Sequence, residues 1–185
     1  NRLVQEFADY RIAALRDPRF TLYESRAEFL SPHELRAGDV RIRGGAFVIA
    51  TGSSAAEVAI PGLDEAGYLT SDEMLDIRRQ PASLLVLGGG LVAVEFAQFF
   101  ARIGTKVTML QRSTTLLSDM DEDIGQALAA AFRDEGIEVM TGVSVQCVTS
   151  GSSEKTVHFV QGGVVHTRSA EVIFQALGRR PNLNG

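Results

Sequence analysis

The sequence predicts an α/β fold in which a helix-bearing parallel sheet is combined with a three-stranded antiparallel meander. Three features support this prediction. Residues 84–112 read as a strand, a glycine-rich turn, a helix and a second strand. An amphipathic helix and a further apolar strand follow within residues 121–140. Alternating apolar and polar residues, typical of antiparallel strands, then occupy residues 143–167. A second domain is predicted before the central strand, with the boundary within residues 53–82.

The strand, turn and helix that begin at residue 84 carry the clearest chemical signal. Leu84–Leu87 is apolar throughout, as expected of a parallel strand that is covered on both faces. Gly88 allows a tight turn, Gly90 allows a close approach to a pyrophosphate, and Ala93 allows close packing of the helix on its strand. The start of the helix offers free N–H groups to an anion. We therefore predict a Rossmann-like dinucleotide site at Gly88, Gly89, Gly90, Leu91, Val92 and Ala93. The alternative is an ordinary βαβ unit with a glycine turn.

The first sixty residues predict a helix followed by short strands. Apolar residues spaced as one helical face run through residues 2–16, and Pro18 ends that helix. Short runs predict an antiparallel meander with strands at residues 21–25, 26–30 and 40–43. Phe47–Ala50 is apolar throughout, which predicts a strand buried on both faces. It leads into the small-residue turn at Thr51 and Gly52.

A connecting segment separates this part from the central strand. Pro61-Gly62 breaks the chain, and Thr70 precedes Glu73 by three residues, which predicts a capping box for a short helix at residues 71–79. Pro81 ends that helix. The domain boundary is therefore expected within residues 53–82.

The second half of the chain continues the α/β pattern. A helix with an acidic first turn is predicted at residues 121–135, and Ile137–Met140 is the third apolar strand. Meander strands are predicted at residues 143–147, 156–159 and 164–167. Val172–Phe174 is a last apolar strand, followed by the small-residue turn at Gly178. This turn echoes the one at Gly52.

The composition argues against several functional classes. The net charge of −5 argues against nucleic acid or an anionic membrane as the main partner. No apolar run approaches the ~20 residues of a membrane helix. The single cysteine, Cys147, and three scattered histidines form no pattern of metal ligands, so we expect no metal site. A single cysteine is compatible with the reducing cytoplasm, where we expect the protein.

Four motifs together resemble a known family. They are Val48–Ser53, Ile60–Gly62, Gly88–Ala97 and Ala176–Asn182. Their order resembles the pyridine nucleotide–disulfide oxidoreductases, which include dihydrolipoamide dehydrogenase, glutathione reductase and mercuric reductase. The run from Ala93 to Thr108 is most similar to the mercuric reductase subgroup.

The resemblance implies an organisation into domains and a set of cofactor contacts. Residues 1–60 would be part of an FAD-binding domain, residues 61–81 a connection, residues 82–178 the NAD(P)-binding domain, and residues 179–185 a return towards the FAD domain. Thr51 and Gly52 match the turn that touches FAD, and Gly178 and Arg179 match a second turn close to the cofactors. Alternatively, Gly178 only ends a strand. Glu95 matches a glutamate near the nicotinamide and flavin rings. Alternatively, Glu95 is a residue of a polar helix face shared with Gln98 and Arg102.

The resemblance also implies parts that these residues do not match. The FAD fingerprint and the redox-active cysteine pair of the family would lie upstream, and a dimer-forming domain would lie downstream. Cys147 does not match the cysteine pair. We therefore expect a middle fragment without a catalytic residue of its own, inactive when isolated. The apolar strand Phe47–Ala50 would need cover from a second copy or from a rearrangement of residues 1–60, and a homodimer is expected.

The end of the second strand favours NADPH over NADH. NAD sites of this fold usually place an acidic residue there for the ribose 2′-hydroxyl, whereas NADP sites place an arginine for the 2′-phosphate. This sequence has Gln111 and Arg112, with no acidic residue between Glu95 and Asp119. A guanidinium can grip a phosphate in bidentate fashion. The alternative is a solvated loop arginine.

The function expected from the resemblance is hydride transfer from NADPH to FAD, with electrons passing on to the cysteine pair and a small-molecule or disulfide acceptor, as in mercuric reductase. One alternative is an enzyme like dihydrolipoamide dehydrogenase. Another is a flavoprotein without the cysteine pair, of the NADH oxidase or ferredoxin reductase type. A third is a nucleotide-sensing module that has lost catalysis.

Overall fold

Residues 2–183, which the computed structural model describes, divide into two units. Unit 1 contains the described residues up to Thr51 together with Leu183. Unit 2 runs from Gly52 to Asn182. None of the helices in the described part of the chain is long and apolar enough to cross a membrane.

Unit 1 consists of one helix and one antiparallel sheet. Its elements are α1 (Arg2–Ala14), β1 (Ala27–Ser31), β2 (Glu34–Ala37) and β3 (Val40–Arg43). The strand order is β1-β2-β3, so strands that follow one another in the sequence pair directly. Among the described residues of this unit only Ala37 is buried, and α1 buries none. Unit 1 thus has paired strands but almost no apolar core.

The helix of unit 1 and the strand at residues 40–43 were predicted correctly, but two details of the meander were wrong. Residues 21–25 form no strand, and Glu34–Ala37 forms one that the sequence did not predict. Pro32 accounts for the turn between β1 and β2. Its fixed φ and missing N–H suit a turn, and with His33 it connects β1 to β2.

Phe47–Ala50 does not form the buried strand that its apolar sequence predicts. Val48 is 92% exposed and Ile49 59% exposed, and the segment has no regular structure. Only the ring of Phe47 finds an aromatic partner, with its centroid 5.1 Å from that of Phe29. A strand forms when a neighbour takes up its backbone N–H and C=O groups, and residues 2–183 supply none at this position.

Unit 2 contains a parallel sheet, an antiparallel meander and a two-stranded ribbon. Its elements are β4 (Ser53–Ala55), α2 (Leu63–Ala66), α3 (Ser71–Leu75), β5 (Ser83–Leu87), α4 (Leu91–Arg102), β6 (Lys106–Gln111), α5 (Glu122–Asp134), β7 (Glu138–Thr141), β8 (Val143–Ser150), β9 (Lys155–Gln161), β10 (Val164–Ala170), β11 (Val172–Gln175) and β12 (Arg179–Pro181). This confirms the predicted combination of a parallel sheet with a three-stranded meander.

The parallel sheet has the strand order β11-β5-β6-β7. Helices α4 and α5 connect β5 to β6 and β6 to β7, whereas the meander β8–β10 connects β7 to β11. The carboxyl ends of β5 and β11 are therefore neighbours, and the register pairs Leu87 with Gln175. In a sheet of this kind, ligands bind at the carboxyl edge where the strand order reverses.

The central strand β5 is buried because both faces of the sheet are covered. Leu84 and Val86 pack with residues of α4 and α5, including Ala97 and Phe132. Leu85 and Leu87 point to the opposite face, where they pack with residues of the meander, including Val157 and Phe159. Four consecutive leucine and valine side chains are 0% exposed as a result. The prediction of a doubly covered strand is confirmed here.

Two smaller features complete unit 2. The predicted capping box is present at the start of α3, since Thr70 Oγ1 accepts from Asp72 N and Glu73 Oε2 accepts from Thr70 N. The ribbon was not predicted: β12 pairs antiparallel with β4, with Arg179 opposite Ala55. Its strands are only three residues long and show no alternation that a sequence pattern could reveal.

Candidate functional site

The turn between β5 and α4 is shaped by the close approach of the end of β11. Gly88 adopts φ +114°, and a Cβ at this position would lie 2.5 Å from the carbonyl oxygen of Ala176. Both the backbone angle and the space therefore require glycine. Gly88 N donates to Leu110 O at 2.9 Å, which also ties the turn to β6.

Gly89 and Gly90 face different surroundings. A Cβ on Gly89 would lie 2.8 Å from Leu116 Cδ2 and 3.0 Å from Gln111 Cδ, so Gly89 packs against protein. A Cβ on Gly90 would meet no heavy atom within 4 Å. Gly90 has extended backbone angles that any residue adopts. The open space beside Gly90 is therefore what a ligand approaching the backbone would need.

The loop after β6 holds the turn from the other side. Leu117 N donates to Gly89 O at 2.8 Å, and Leu116 is fully buried. Helix α5 approaches this loop so closely that a Cβ on Gly125 would lie 2.1 Å from Leu116 O. The glycine turn is thus held between β11 and a loop that is itself fixed by α5.

Helix α4 begins at this turn without a side-chain cap. Gly90 is the N-cap residue, it has no side chain to accept a hydrogen bond, and no acidic residue lies in the first turn. The first N–H groups of a helix have no partner within the helix, and the helix dipole adds positive potential there. Ala93 is 1% exposed and fixes the helix against the sheet, whereas Leu91 is 58% exposed. An anion could bind at this helix end.

A cleft of about 190 Å³ lies at the start of α4. It brings together six of the residues that the sequence predicts as cofactor contacts, and it also includes residues from both strands of the ribbon, from β11 and from the start of α3. Its lining is Ala55, Ser71, Gly90, Leu91, Val92, Ala93, Asp119, Gln175, Ala176, Gly178 and Arg179.

The predicted residues at the end of β6 lie outside the lining of this cleft. Gln111 is 8% exposed, and its Nε2 donates to Thr115 O at 3.3 Å, so its amide supports the loop. Arg112 is exposed and forms no ion pair or hydrogen bond through its side chain within residues 2–183. Its guanidinium is free to meet an anionic group from solvent.

Glu95 faces a different cleft. This second cleft has a volume of about 510 Å³ and a largely apolar lining that includes Phe96, Phe99 and Ile103. Gln98 and Arg102, the other residues of the polar stripe, both donate to the carboxylate of Glu135. Glu95 is exposed and takes no part in that network.

The second small-residue turn is fastened by Arg179. The guanidinium donates to Ser53 Oγ at 2.8 Å, to Ser53 O at 2.6 Å and to Ser71 Oγ at 2.7 Å. Gly178 has φ +119°, and its carbonyl accepts from Ala56 N at 3.0 Å. Gly52 has φ +73°, and its carbonyl accepts from Asn182 N at 3.0 Å. Thr51 is the last residue of the first segment of unit 1.

Comparison with known proteins identifies the family. The family model described as pyridine nucleotide-disulphide oxidoreductase matches residues 3–185. The chain belongs to this family. Mercuric reductase from Bacillus cereus is 34% identical over 182 residues, which cover 98% of this chain and 29% of that protein. Dihydrolipoyl dehydrogenase from Acholeplasma laidlawii is 32% identical over 168 residues, which cover 89% of this chain and 49% of that protein.

A solved structure agrees with this assignment. The HOCl-induced flavoprotein disulfide reductase RclA from Escherichia coli matches with a TM-score of 0.84 and 29% sequence identity, over 100% of this chain and 42% of that one. The chain therefore spans less than half the length of each of these relatives. The recognition of a pyridine nucleotide–disulfide oxidoreductase from four motifs is confirmed.

Five residues of the cleft lining were not predicted as site residues from the sequence: Ala55, Ser71, Asp119, Gln175 and Ala176. Gln175 left a signal, because it is a polar residue at the end of the apolar run Val172–Phe174. It is 2% exposed, its Nε2 donates to Ala56 O at 2.8 Å, and its Oε1 is buried without a partner within residues 2–183. An unpaired buried acceptor typically costs about 1–3 kcal/mol. Asp119 left no such signal, since its place depends on the fold of the loop.

The residues that the structure describes contain no group of three or more His, Cys, Asp or Glu side chains that could hold a metal ion. Cys147, a half-buried residue of β8, is a free thiol.

Proposed function

We propose that residues 82–178 of unit 2 form a Rossmann-like domain that binds NADPH, within an FAD-dependent oxidoreductase. The observation that carries the proposal is the uncapped start of α4 beside the open space at Gly90. Membership of the family supports the nature of the ligand. The unpaired Gln175 Oε1 in the same cleft supports a ligand that supplies a hydrogen-bond donor.

Each part of the site has a role in this proposal. The N–H groups of the first turn of α4 bind the pyrophosphate, and the buried Ala93 holds the helix in position for them. Gly178 lines the same cleft. Arg112, at the carboxyl end of β6, binds the 2′-phosphate with its free guanidinium.

The chemistry supplied at this site is hydride transfer from NADPH to flavin, which is cofactor chemistry that the protein aligns. Glu95 and Gly178 would lie near the reacting rings. A Cβ on Gly52 would have Asn182 Nδ2 as its nearest neighbour at 3.9 Å, so the backbone of Gly52 is open to a flavin contact. Thr51, the preceding residue, would add to the same contact. Residues 1–60 would belong to the FAD domain and residues 82–178 to the NADPH domain. Electrons would pass on to a cysteine pair outside this chain, in a cytoplasmic homodimer that resembles mercuric reductase.

Titration of the 185-residue chain with NADPH tests the proposal, with binding followed by calorimetry. A valine at Gly90 fills the open space and can adopt its extended backbone, so Gly90→Val should weaken binding by at least about tenfold while the fold is kept. Gly45→Val is the matched control, because a Cβ on Gly45 also meets nothing within 4 Å and Gly45 lies in unit 1. Equal binding by both variants would refute the site.

Arg112→Glu tests the choice of nucleotide. Removing the guanidinium and adding a carboxylate should weaken NADPH binding and leave NADH binding unchanged or improved. Arg180→Glu is the control, since Arg180 is an exposed arginine outside the lining of the cleft. An unchanged ratio of the NADPH and NADH affinities in Arg112→Glu would show that Arg112 is a solvated loop arginine and does not bind the 2′-phosphate.

A further inference from the structure

The side chain of Gln175 is oriented by its protein partner. The carbonyl oxygen of Ala56 can only accept, so the NH2 of the amide must face it, and the observed distance is 2.8 Å. The amide oxygen Oε1 then lies on the other side of the group. It is fully buried, and no donor within residues 2–183 reaches it.

Gln175 borders the same cleft as the start of α4. It is the last residue of β11, where the register pairs it with Leu87, directly before the glycine turn. The cleft lining includes Gly90, Leu91 and Gln175. Gln175, which carries this unpaired acceptor, thus lines the same cleft as the first residues of α4.

The strand order determines which part of a dinucleotide would meet Gln175. With the pyrophosphate at the start of α4 and the 2′-phosphate at Arg112, the adenosine half extends over the end of β6. Strand β11 lies on the opposite side of β5 from β6. The nicotinamide riboside half must therefore extend towards the end of β11, where Gln175 lies.

We propose that Gln175 Oε1 accepts a hydrogen bond from the nicotinamide riboside half of the dinucleotide and so positions that half in the cleft. This inference rests on the proposed function of unit 2. The donor chemistry is an N–H of the carboxamide or a hydroxyl of the adjacent ribose. Gln175 acts as a positioning residue, because it binds the half of the ligand that carries the reactive ring.

The test compares two ligands on the same protein. Gln175→Leu, and Gln175→Met as a second variant of similar length, should weaken the binding of NADPH by about 3- to 10-fold. Neither should weaken the binding of adenosine 2′,5′-bisphosphate, which lacks the nicotinamide riboside. Since both ligands are measured on the same sample, a loss of folded protein would reduce the active fraction for both and cannot imitate the change in affinity ratio.

Gln161→Leu is the matched control. In the unaltered chain, Gln161 Nε2 donates to Thr141 O at 2.8 Å, the same kind of bond that Gln175 makes to Ala56 O. Gln161 lies outside the lining of the cleft. This variant should keep both affinities. Loss of adenosine bisphosphate binding equal to that of NADPH in Gln175→Leu, or no loss for either, would overturn the role of Gln175. Failure of the unaltered chain to bind adenosine bisphosphate would instead overturn the proposed function.

The acetylpyridine analogue of NADPH identifies the donor, because it has a methyl group in place of the carboxamide NH2. If the carboxamide donates, Gln175→Leu should no longer affect the affinity for this analogue. If a ribose hydroxyl donates, the loss should remain. Both results support the contact, whereas a larger loss with the analogue than with NADPH would contradict it.

Discussion

Two apolar segments of four residues, Leu84–Leu87 in unit 2 and Phe47–Ala50 in unit 1, resemble each other in sequence and differ completely in structure. Both are uninterrupted apolar runs, and a glycine follows each within two residues. All four residues of the first are 0% exposed, whereas Val48 in the second is 92% exposed. The first is the central strand of a sheet, and the second has no regular structure.

The difference lies in what surrounds each segment. Leu84–Leu87 has strands on both sides and packed side chains above and below the sheet. Phe47–Ala50 has no neighbouring strand within residues 2–183. An apolar run shows what a segment can bury, while its partners decide whether it is buried. Unit 2 therefore contains a core that can hold a site in fixed geometry, and unit 1, taken by itself, does not.

Truncating one side chain in each segment should show the largest contrast. Leu85→Ala removes a fully buried side chain and should destabilise unit 2 by about 2–5 kcal/mol. Val48→Ala should change stability by less than about 0.5 kcal/mol. Urea unfolding followed by circular dichroism, with hydrogen exchange to assign the change to a unit, measures both. A comparable loss in Val48→Ala would mean that Phe47–Ala50 is buried in solution, as a second copy of the chain would achieve.

Arginine side chains should show the next largest contrast. Arg179 is about one-third exposed and makes three hydrogen bonds, two to Ser53 within the ribbon and one to Ser71 at the start of α3. Arg179→Ala should destabilise unit 2 by about 1–3 kcal/mol, because bonds from a charged donor are lost. Arg36→Ala in unit 1 removes an ion pair with Glu28 in which both side chains are 53% exposed, and should have an effect below about 1 kcal/mol.

Arg180→Ala serves as the control for this comparison, since Arg180 belongs to the same strand β12 as Arg179. It should leave the urea midpoint almost unchanged. If Arg179→Ala behaved like Arg180→Ala, the ribbon would be held by its backbone pairing alone.

A matched pair of hydroxyl groups gives a smaller contrast. Thr70 Oγ1 accepts from Asp72 N, and Ser31 Oγ accepts from His33 N, each at 3.3 Å and each two residues along the chain. Thr70 caps a helix whose Met74 is buried in the core, so Thr70→Ala should destabilise by about 1 kcal/mol. Ser31→Ala affects only an exposed turn and should stay within about 0.5 kcal/mol.

Thr70→Ser keeps the hydroxyl and should restore most of the stability lost in Thr70→Ala, as judged by the urea midpoint. Equal losses of stability in Thr70→Ala and Ser31→Ala would show that the packing of Met74 in the core does not make the cap of α3 more important than an exposed turn.

The sequence predicted most of unit 2 because its signals are local. The continuous apolar run at Leu84–Leu87, the glycine turn and the capping residues at Thr70 and Glu73 all act within a few residues of one another, and the structure places each as expected. The same reasoning failed for Phe47–Ala50, whose burial depends on a surface that the pattern does not contain.

The parts that the sequence could not predict depend on residues far apart in the chain. Gln175 meets the carbonyl of Ala56, and Arg179 meets Ser53, across more than a hundred residues. The carboxylate of Glu138 likewise meets Arg168, thirty residues away. Such pairs follow from the sheet order, so they become visible only after the fold is known.

The smallest predicted contrast concerns acid stability, and it tests these long-range pairs. The pKa of Glu138 is lowered because Arg168 donates to its carboxylate and Thr108 Oγ1 adds a further bond. The pKa of Glu171 is lowered by the N–H of Ala82 and by Arg79. A lowered pKa in the folded state stabilises the protein above the ordinary glutamate pKa of 4.5, and that contribution is lost as the pH falls further. Unit 2 should therefore lose stability below about pH 4.5.

In unit 1 the corresponding lowered pKa is that of Asp17, whose carboxylate accepts from Arg19 outside the sheet and is about one-third exposed. Glu138→Gln should reduce the acid dependence of unit 2. The pH at which unit 2 has lost half of its neutral-pH stability should fall by on the order of a few tenths of a pH unit. Asp17→Asn should leave the sheet of unit 1 unchanged. Hydrogen exchange between pH 3 and 6, roughly the range in which carboxylates titrate, measures both units in one sample. An acid dependence that stays the same in Glu138→Gln would mean that the Arg168 pair does not couple protonation to the folding of unit 2.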